Sequence, residues 1–322
     1  MHAYPPLRRD ATCEGDSWVM PYIVSGNVKL FYEENGYGYP IIFLHEFESD
    51  SRAWDSQIRH FARNYRCIAY NARGYPPSGV PNELASYGWE LSVEDVAAVM
   101  RGLAIPRAHL VGSSMGGYAA LQFALRYPER ASAVVAAGTG LGSLPSERPA
   151  WLKRTVALAR VITTRGMKAM ASKMAHHPAR IQLKYKDPRG WREYLSRLEQ
   201  HSPIGMSNTL ARFQGLRPSL FEFSDEFSRM AIPVLLSVGD EDKSCLEANL
   251  MLKSVLPNAG LWVAANTGHS VNLEEPSHFN AQLEAFFNAV ERGGWRRGYP
   301  AKQFTNIQHE EPTQPGLDEV DS

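Results

Sequence analysis

Three short stretches hold the side-chain types from which a nucleophile, a base and an orienting carboxylate can be assembled. Gly112-Ser113-Ser114-Met115-Gly116 fits the pattern G-x-S-x-G, with an apolar run at 109–111 before it and helical spacing at 118–127 after it. Such a turn strains the backbone at the serine, and glycines beside it avoid collisions with the adjoining strand and helix. The Ser114 hydroxyl is thereby lifted to a helix start, where unpaired N–H groups and the dipole favour developing negative charge. A serine is a weak nucleophile at neutral pH and needs a base in reach, itself oriented by a third group. Two later loops offer both. Gly239-Asp240-Glu241-Asp242 follows the apolar run 233–238, and Asn266-Thr267-Gly268-His269 follows the run 261–265. The chain order is serine, aspartate, histidine, with Asp240 and Asp242 both open as the acid.

The elements that must hold these loops follow from patterning. A hairpin is expected at 22–24 and 28–32 across Ser25-Gly26-Asn27, and the wholly apolar Ile41-Ile42-Phe43-Leu44 reads as a strand buried on both faces. Further short strands fall at 67–70 and 133–137, separated by helical spacing at 51–64 and 92–103. That alternation predicts an α/β fold, a doubly wound and mostly parallel sheet whose ligand loops lie at the carboxyl ends of its strands. From 141 to 230 no apolar run resembles a buried strand. Helical stretches at 151–162, 166–174, 191–199 and 206–213 stand there instead. The expected division is an irregular leader over 1–19, a core over 20–140 and 231–292, a helical cap over 141–230, and a disordered tail over 293–322. Trp151 and Trp191 are the cap side chains expected to touch substrate.

Composition narrows the class. Of 322 residues 44% are hydrophobic, enough for a large core, while 34 Lys+Arg balance 34 Asp+Glu. A net charge of zero leaves no electrostatic footprint for nucleic acid or an anionic membrane. Cys13, Cys67 and Cys245 form no C-x-x-C pair, so neither a disulfide framework nor a zinc knuckle is expected, and a reducing cytosol suits them. The first residues carry prolines and charges where a signal peptide needs an apolar centre. No apolar run approaches the roughly 18 residues of a membrane span. The expectation is a cytoplasmic protein acting on a small molecule, with no cofactor, no metal, no nucleic-acid or membrane partner, and homo-oligomerisation left open.

Five motifs in order resemble the α/β-hydrolase superfamily, from about residue 22 to 291. LHEF at 44–47 stands where that family has its HG oxyanion loop, and NARGYPPSG at 71–79 resembles its RGxGxS loop. GSSMGG at 112–117 is its nucleophile elbow. PVLLSVGDEDKS at 233–244 resembles its acid loop, and GHSVNLEEP at 268–276 its histidine loop. The resemblance implies Ser114 as nucleophile, His269 as base and Asp242 as orienting acid, with the backbone N–H groups of Phe47 and Met115 as oxyanion donors. It makes the insertion a cap and implies a serine hydrolase cleaving a small, largely apolar ester or lactone. Hydrolysis of a C–C bond in a ring-cleavage product, or cofactor-free perhydrolysis, uses the same residues. Family branches with Asp at the elbow, the haloalkane dehalogenases and cap-type epoxide hydrolases, are set aside by Ser114.

Rival readings are weaker. A zincin would need a histidine where Ser49 stands, and Gly138, Gly140 and Gly142 miss the dinucleotide spacing by one residue. His176-His177 has no ligand partners at metal spacing, Cys245 is expected to pack as a small hydrophobe, and His45 to shape the oxyanion loop. A small-molecule receptor that keeps the triad is the alternative outside enzymology. Glu46 is the departure from the family, which has glycine after the histidine. A carboxylate aimed at the tetrahedral intermediate would oppose its charge, so the Glu46 side chain is expected to turn from Ser114 toward solvent, a cation or a loop N–H.

Overall fold

The computed structural model describes residues 21–295, so the leader and most of the tail lie outside the described residues. Eight strands form one sheet: β1 (Tyr22–Ser25), β2 (Val28–Asn35), β3 (Tyr39–Leu44), β4 (Tyr65–Tyr70), β5 (Ala108–Ser113), β6 (Ala131–Ala137), β7 (Val234–Gly239) and β8 (Ala259–Ala264). Their order is β1-β2-β4-β3-β5-β6-β7-β8. The first two pairings are antiparallel and every later one is parallel.

Helices cover both faces, which is why β5, β6 and β7 are buried throughout instead of alternating. Side chains still alternate in direction: Leu110 and Val134 join one core with Val96, Met100 and Phe123, whereas Val111 and Val135 join the other with Trp54, Phe279 and Phe287. The first core packs under α2 (Trp89–Gly102) and α3 (Met115–Arg126). The second packs under α1 (Asp55–Phe61) and the C-terminal helix (Pro276–Glu291). Burying each such Leu, Val or Phe contributes about 1.5–3 kcal/mol.

After β3 the chain moves outward to β4, then crosses back to lay β5 on the other side of β3. The strand order therefore reverses between β3 and β5. A crevice opens at their carboxyl ends, where the 44–47 loop and the Ser114 turn meet.

Between β6 and β7 lies a helical insertion: α4 (Arg148–Met174), α5 (Ile181–Lys186), α6 (Pro188–Glu199), α7 (Pro203–Asn208) and α8 (Ser224–Arg229). Gly166 breaks α4 with φ 73° and ψ −179°, so two helices meet there across a kink. Helix α6 begins sharply because Asp187 accepts from the Gly190 N–H at 2.9 Å and Pro188 occupies the first helical position. No helix among the described residues is long and apolar enough to cross a membrane.

Candidate active site

Ser114 sits between β5 and α3 at φ 49°, ψ −105°, a left-handed backbone that a non-glycine residue adopts only under constraint. The constraint is visible. Its N–H donates to the Ala137 carbonyl at 2.7 Å, and Tyr118 N–H returns to the Ser114 carbonyl at 2.9 Å to start the helix. A Cβ on Gly116 would collide with the Leu44 carbonyl oxygen, and one on Gly112 with the Gly116 backbone. Only glycine lets the turn press this closely against the end of β3.

Asp242 and His269 come together although 27 residues separate them: His269 Nδ1 lies 2.5 Å from Asp242 Oδ2. Both are about 4% exposed. Burial alone would lower the imidazole's pKa, but the adjacent carboxylate outweighs it and holds it above 6.5. Burial pushes the Asp242 carboxyl up, and the His269 charge and hydrogen bond bring it below 3.8. Asp240 is exposed and spent on its loop, accepting from the Thr267 N–H at 3.0 Å. The Ala137–Gly138 step joins the halves. Ala137 holds Ser114, while a Cβ on Gly138 would lie 3.5 Å from His269 Nδ1.

The N–H groups of Phe47 and Met115 find no acceptor among the described residues. His45 fixes the loop beside them. Its Nε2 accepts from the Ala72 N–H at 3.0 Å, so the proton lies on Nδ1, which donates to the Glu46 carbonyl at 2.7 Å. Burial lowers the pKa of this imidazole and keeps it neutral.

Glu46 requires a correction. Its carboxylate does meet a cation, Arg180, in a fork at 2.8 Å to each oxygen. It does not turn to solvent: it is 3% exposed, and Oε2 lies 3.7 Å from His269 Nε2. Arg180 also reaches Glu48 Oε2 at 2.8 Å and donates to Ser270 Oγ. Tyr194 donates to Glu48 at 2.6 Å. Burial raises the Glu48 carboxyl, but Arg180 and Tyr194 hold it below 4.5. Arg180 comes from the insertion, and one residue before it the Ala179 carbonyl accepts the His269 N–H at 2.8 Å. Sequence reasoning missed Arg180, Glu48 and Tyr194; the one local signal was the unusual glutamate at 46.

The two tryptophans of the insertion divide. Trp151 packs on Gly142 and lies 5.9 Å from the Arg217 guanidinium. Trp191 stacks on Tyr194 at 5.4 Å, in a satellite cluster with Leu183. Beyond Glu48 and Tyr194 a cavity of about 290 Å³ opens along the seam, lined by Asp50, Arg52 and Arg197. None of Ser114, Asp242 or His269 lines it. Beside Met115, between Tyr75 and Phe213, the space is only about 20 Å³. Asp242, Cys245 and His269 bring three donor atoms within 4.8 Å. The 2.5 Å hydrogen bond between two of them leaves less room than an ion needs, since metal bonds of about 2.0–2.2 Å hold such ligands farther apart.

A family model described as alpha/beta hydrolase fold matches residues 39–276. The chain is 28% identical over 254 residues to a Bacillus subtilis protein proposed to be a 2-succinyl-6-hydroxy-2,4-cyclohexadiene-1-carboxylate synthase, covering 78% of this chain and 90% of that one. It is 28% identical over 265 residues to a 2-hydroxy-6-oxo-6-phenylhexa-2,4-dienoate hydrolase of Burkholderia cepacia, covering 79% and 89%. Among solved structures, an N-acyl homoserine lactone degrading enzyme superposes with a TM-score of 0.68 at 27% identity, covering 83% of this chain and 100% of that one.

Proposed function

The chain belongs to the alpha/beta hydrolase fold family and is a hydrolase, and from that premise we propose that it cleaves a carboxylic ester or lactone by acyl transfer through Ser114. The observation that carries the reading is the buried Asp242–His269 pair, linked through the Ala137–Gly138 step to a serine held at positive φ on a helix start. Ser114 Oγ attacks the substrate carbonyl while His269 Nε2 takes its proton and Asp242 stabilises the imidazolium that results. The free N–H groups of Phe47 and Met115 receive the tetrahedral oxyanion. His269 then protonates the leaving alkoxide, and a water activated by the same imidazole releases the acid. The serine–imidazole hydrogen bond is not closed among the described residues, where His269 Nε2 faces Glu46 instead; such bonds often tighten only with substrate. We place the protein in the cytoplasm, where its described cysteines, Cys67 and Cys245, remain free buried thiols.

A second reading, hydrolysis of a C–C bond in a dienoate, is supported by the B. cepacia relative, which aligns over four-fifths of the chain. A panel of esters, lactones and ring-cleavage dienoates separates the two by turnover. A fluorophosphonate probe tests what they share. Labelling of Ser114 and loss of labelling in Ser114→Ala support the mechanism; labelling of another serine overturns it.

A further inference from the structure

Two arginines are fully buried at the seam between core and cap, and they are treated oppositely. Arg180 is saturated by two carboxylates and a hydroxyl. Arg217 is 3% exposed and has no carboxylate partner among the described residues. Of its five N–H donors, one hydrogen bond is made, from a terminal nitrogen to the Leu141 carbonyl at 2.6 Å. Its guanidinium carbon lies 4.9 Å from the Tyr118 ring centre, 5.9 Å from Trp151 and 6.0 Å from Phe213. The charged group nearest in effect is a second cation, Arg148, which donates to the carbonyls of Gly142 and Arg217. Burial brings the Arg217 guanidinium down to about 10, still charged at neutral pH.

A buried charge without a counter-charge is among the costliest arrangements in a protein interior. The three rings offset part of that cost, since their faces attract a cation. They leave the remaining donors unanswered. The position is informative: Tyr118 is one turn beyond Ser114 on α3, about 6 Å along the axis. Leu141 follows the β6 end whose Gly138 packs on His269. Cys245, whose sulfur is 3.8 Å from His269 Nδ1, is close enough to influence Arg217.

We propose that Arg217 is the anion subsite of this active site, binding a carboxylate carried by the substrate at the end remote from the scissile carbonyl. A planar fork of donors matches a planar carboxylate in two parallel hydrogen bonds, and the rings of Tyr118, Trp151 and Phe213 accept the apolar chain between. Arg180 does not serve this purpose, because Glu46 and Glu48 already occupy it. The favoured substrate is thus an apolar ester or lactone with one free carboxylate, a refinement that rests on the acyl-transfer reading above.

The test compares 4-nitrophenyl butyrate with 4-nitrophenyl hemiglutarate, which differ by a terminal carboxylate. In the parent protein kcat/KM should favour the hemiglutarate. In Arg217→Met the ratio of the two should fall at least tenfold, mostly through KM, with Arg217→Lys between. An unchanged ratio overturns the proposal. A second readout does not need turnover: glutarate should raise the melting temperature of the parent and of Ser114→Ala, but not of Arg217→Met. No glutarate shift in the parent protein also overturns it, even if Arg217→Met fails to fold. A glutarate shift without turnover of any ester would sink the hydrolytic reading and leave the anion subsite standing.

Discussion

Glu46 Oε2 lies 3.7 Å from His269 Nε2, while Asp242 Oδ2 lies 2.5 Å from Nδ1, so this imidazole faces a carboxylate at each nitrogen. Burial and Arg180 oppose the imidazolium, both carboxylates favour it, and the result is a pKa above 6.5. A base must be neutral, so kcat/KM should rise with pH through that raised value. Glu46→Gln removes one of the two stabilising charges and should move the acid limb to lower pH. A pH–rate series on both proteins checks this; a limb that stays or moves upward refutes it.

Asp242→Asn should lower kcat by about 10⁴-fold, since the imidazole loses the partner that sets its tautomer and stabilises its charge. Asp240→Asn should change kcat little, because the asparagine oxygen can still accept from Thr267 N–H at the exposed loop. Steady-state rates on one ester rank the two, and the reverse order would exchange their roles.

Arg180→Met should destabilise the fold by about 3–5 kcal/mol at neutral pH, by leaving Glu46 and Glu48 buried without their cation. The sign with pH is fixed. Glu48 is held below 4.5, so its contribution in the parent is present above that value and fades as pH falls through the folded one. The gap between variant and parent should therefore narrow in acid. Urea unfolding at neutral and acidic pH measures it.

Trp191→Ala should cost about 3–5 kcal/mol of stability and leave relative rates on different substrates unchanged, because its ring packs on Leu183 and Tyr194. Trp151→Leu should instead alter substrate ranking, since its ring lies beside Arg217. Melting curves and a four-ester panel separate the two cases.

What could be read in advance depended on how local each signal was. The sheet declared itself through apolar runs such as 41–44 and 133–137, and the elbow through glycines whose missing Cβ atoms the turn requires. Asp242 and His269 each follow a strand, so the two loops were legible before their contact was. Arg180 was not legible. Its partner Glu46 is 134 residues away, and a single ion pair across that separation leaves no periodicity in either segment. Arg217 was hidden for the opposite reason: its distinguishing property is a missing partner, which only packing reveals. The kink at Gly166 lay between, marked by a glycine separating two helical stretches.

The hydrogen bond from His269 N–H to the Ala179 carbonyl has a bearing on engineering. Helical insertions of this kind are attractive as exchangeable parts, to be trimmed or transplanted while the scaffold below is kept. Here the proposed general base is anchored to the insertion by its own backbone, and Gly268 has no space for a side chain against the same carbonyl. A graft that omits residues 178–180 would carry away a support of His269 along with the helices above it. Modularity in this protein stops at Ala179, and a transplant that respects that border must bring the segment with it.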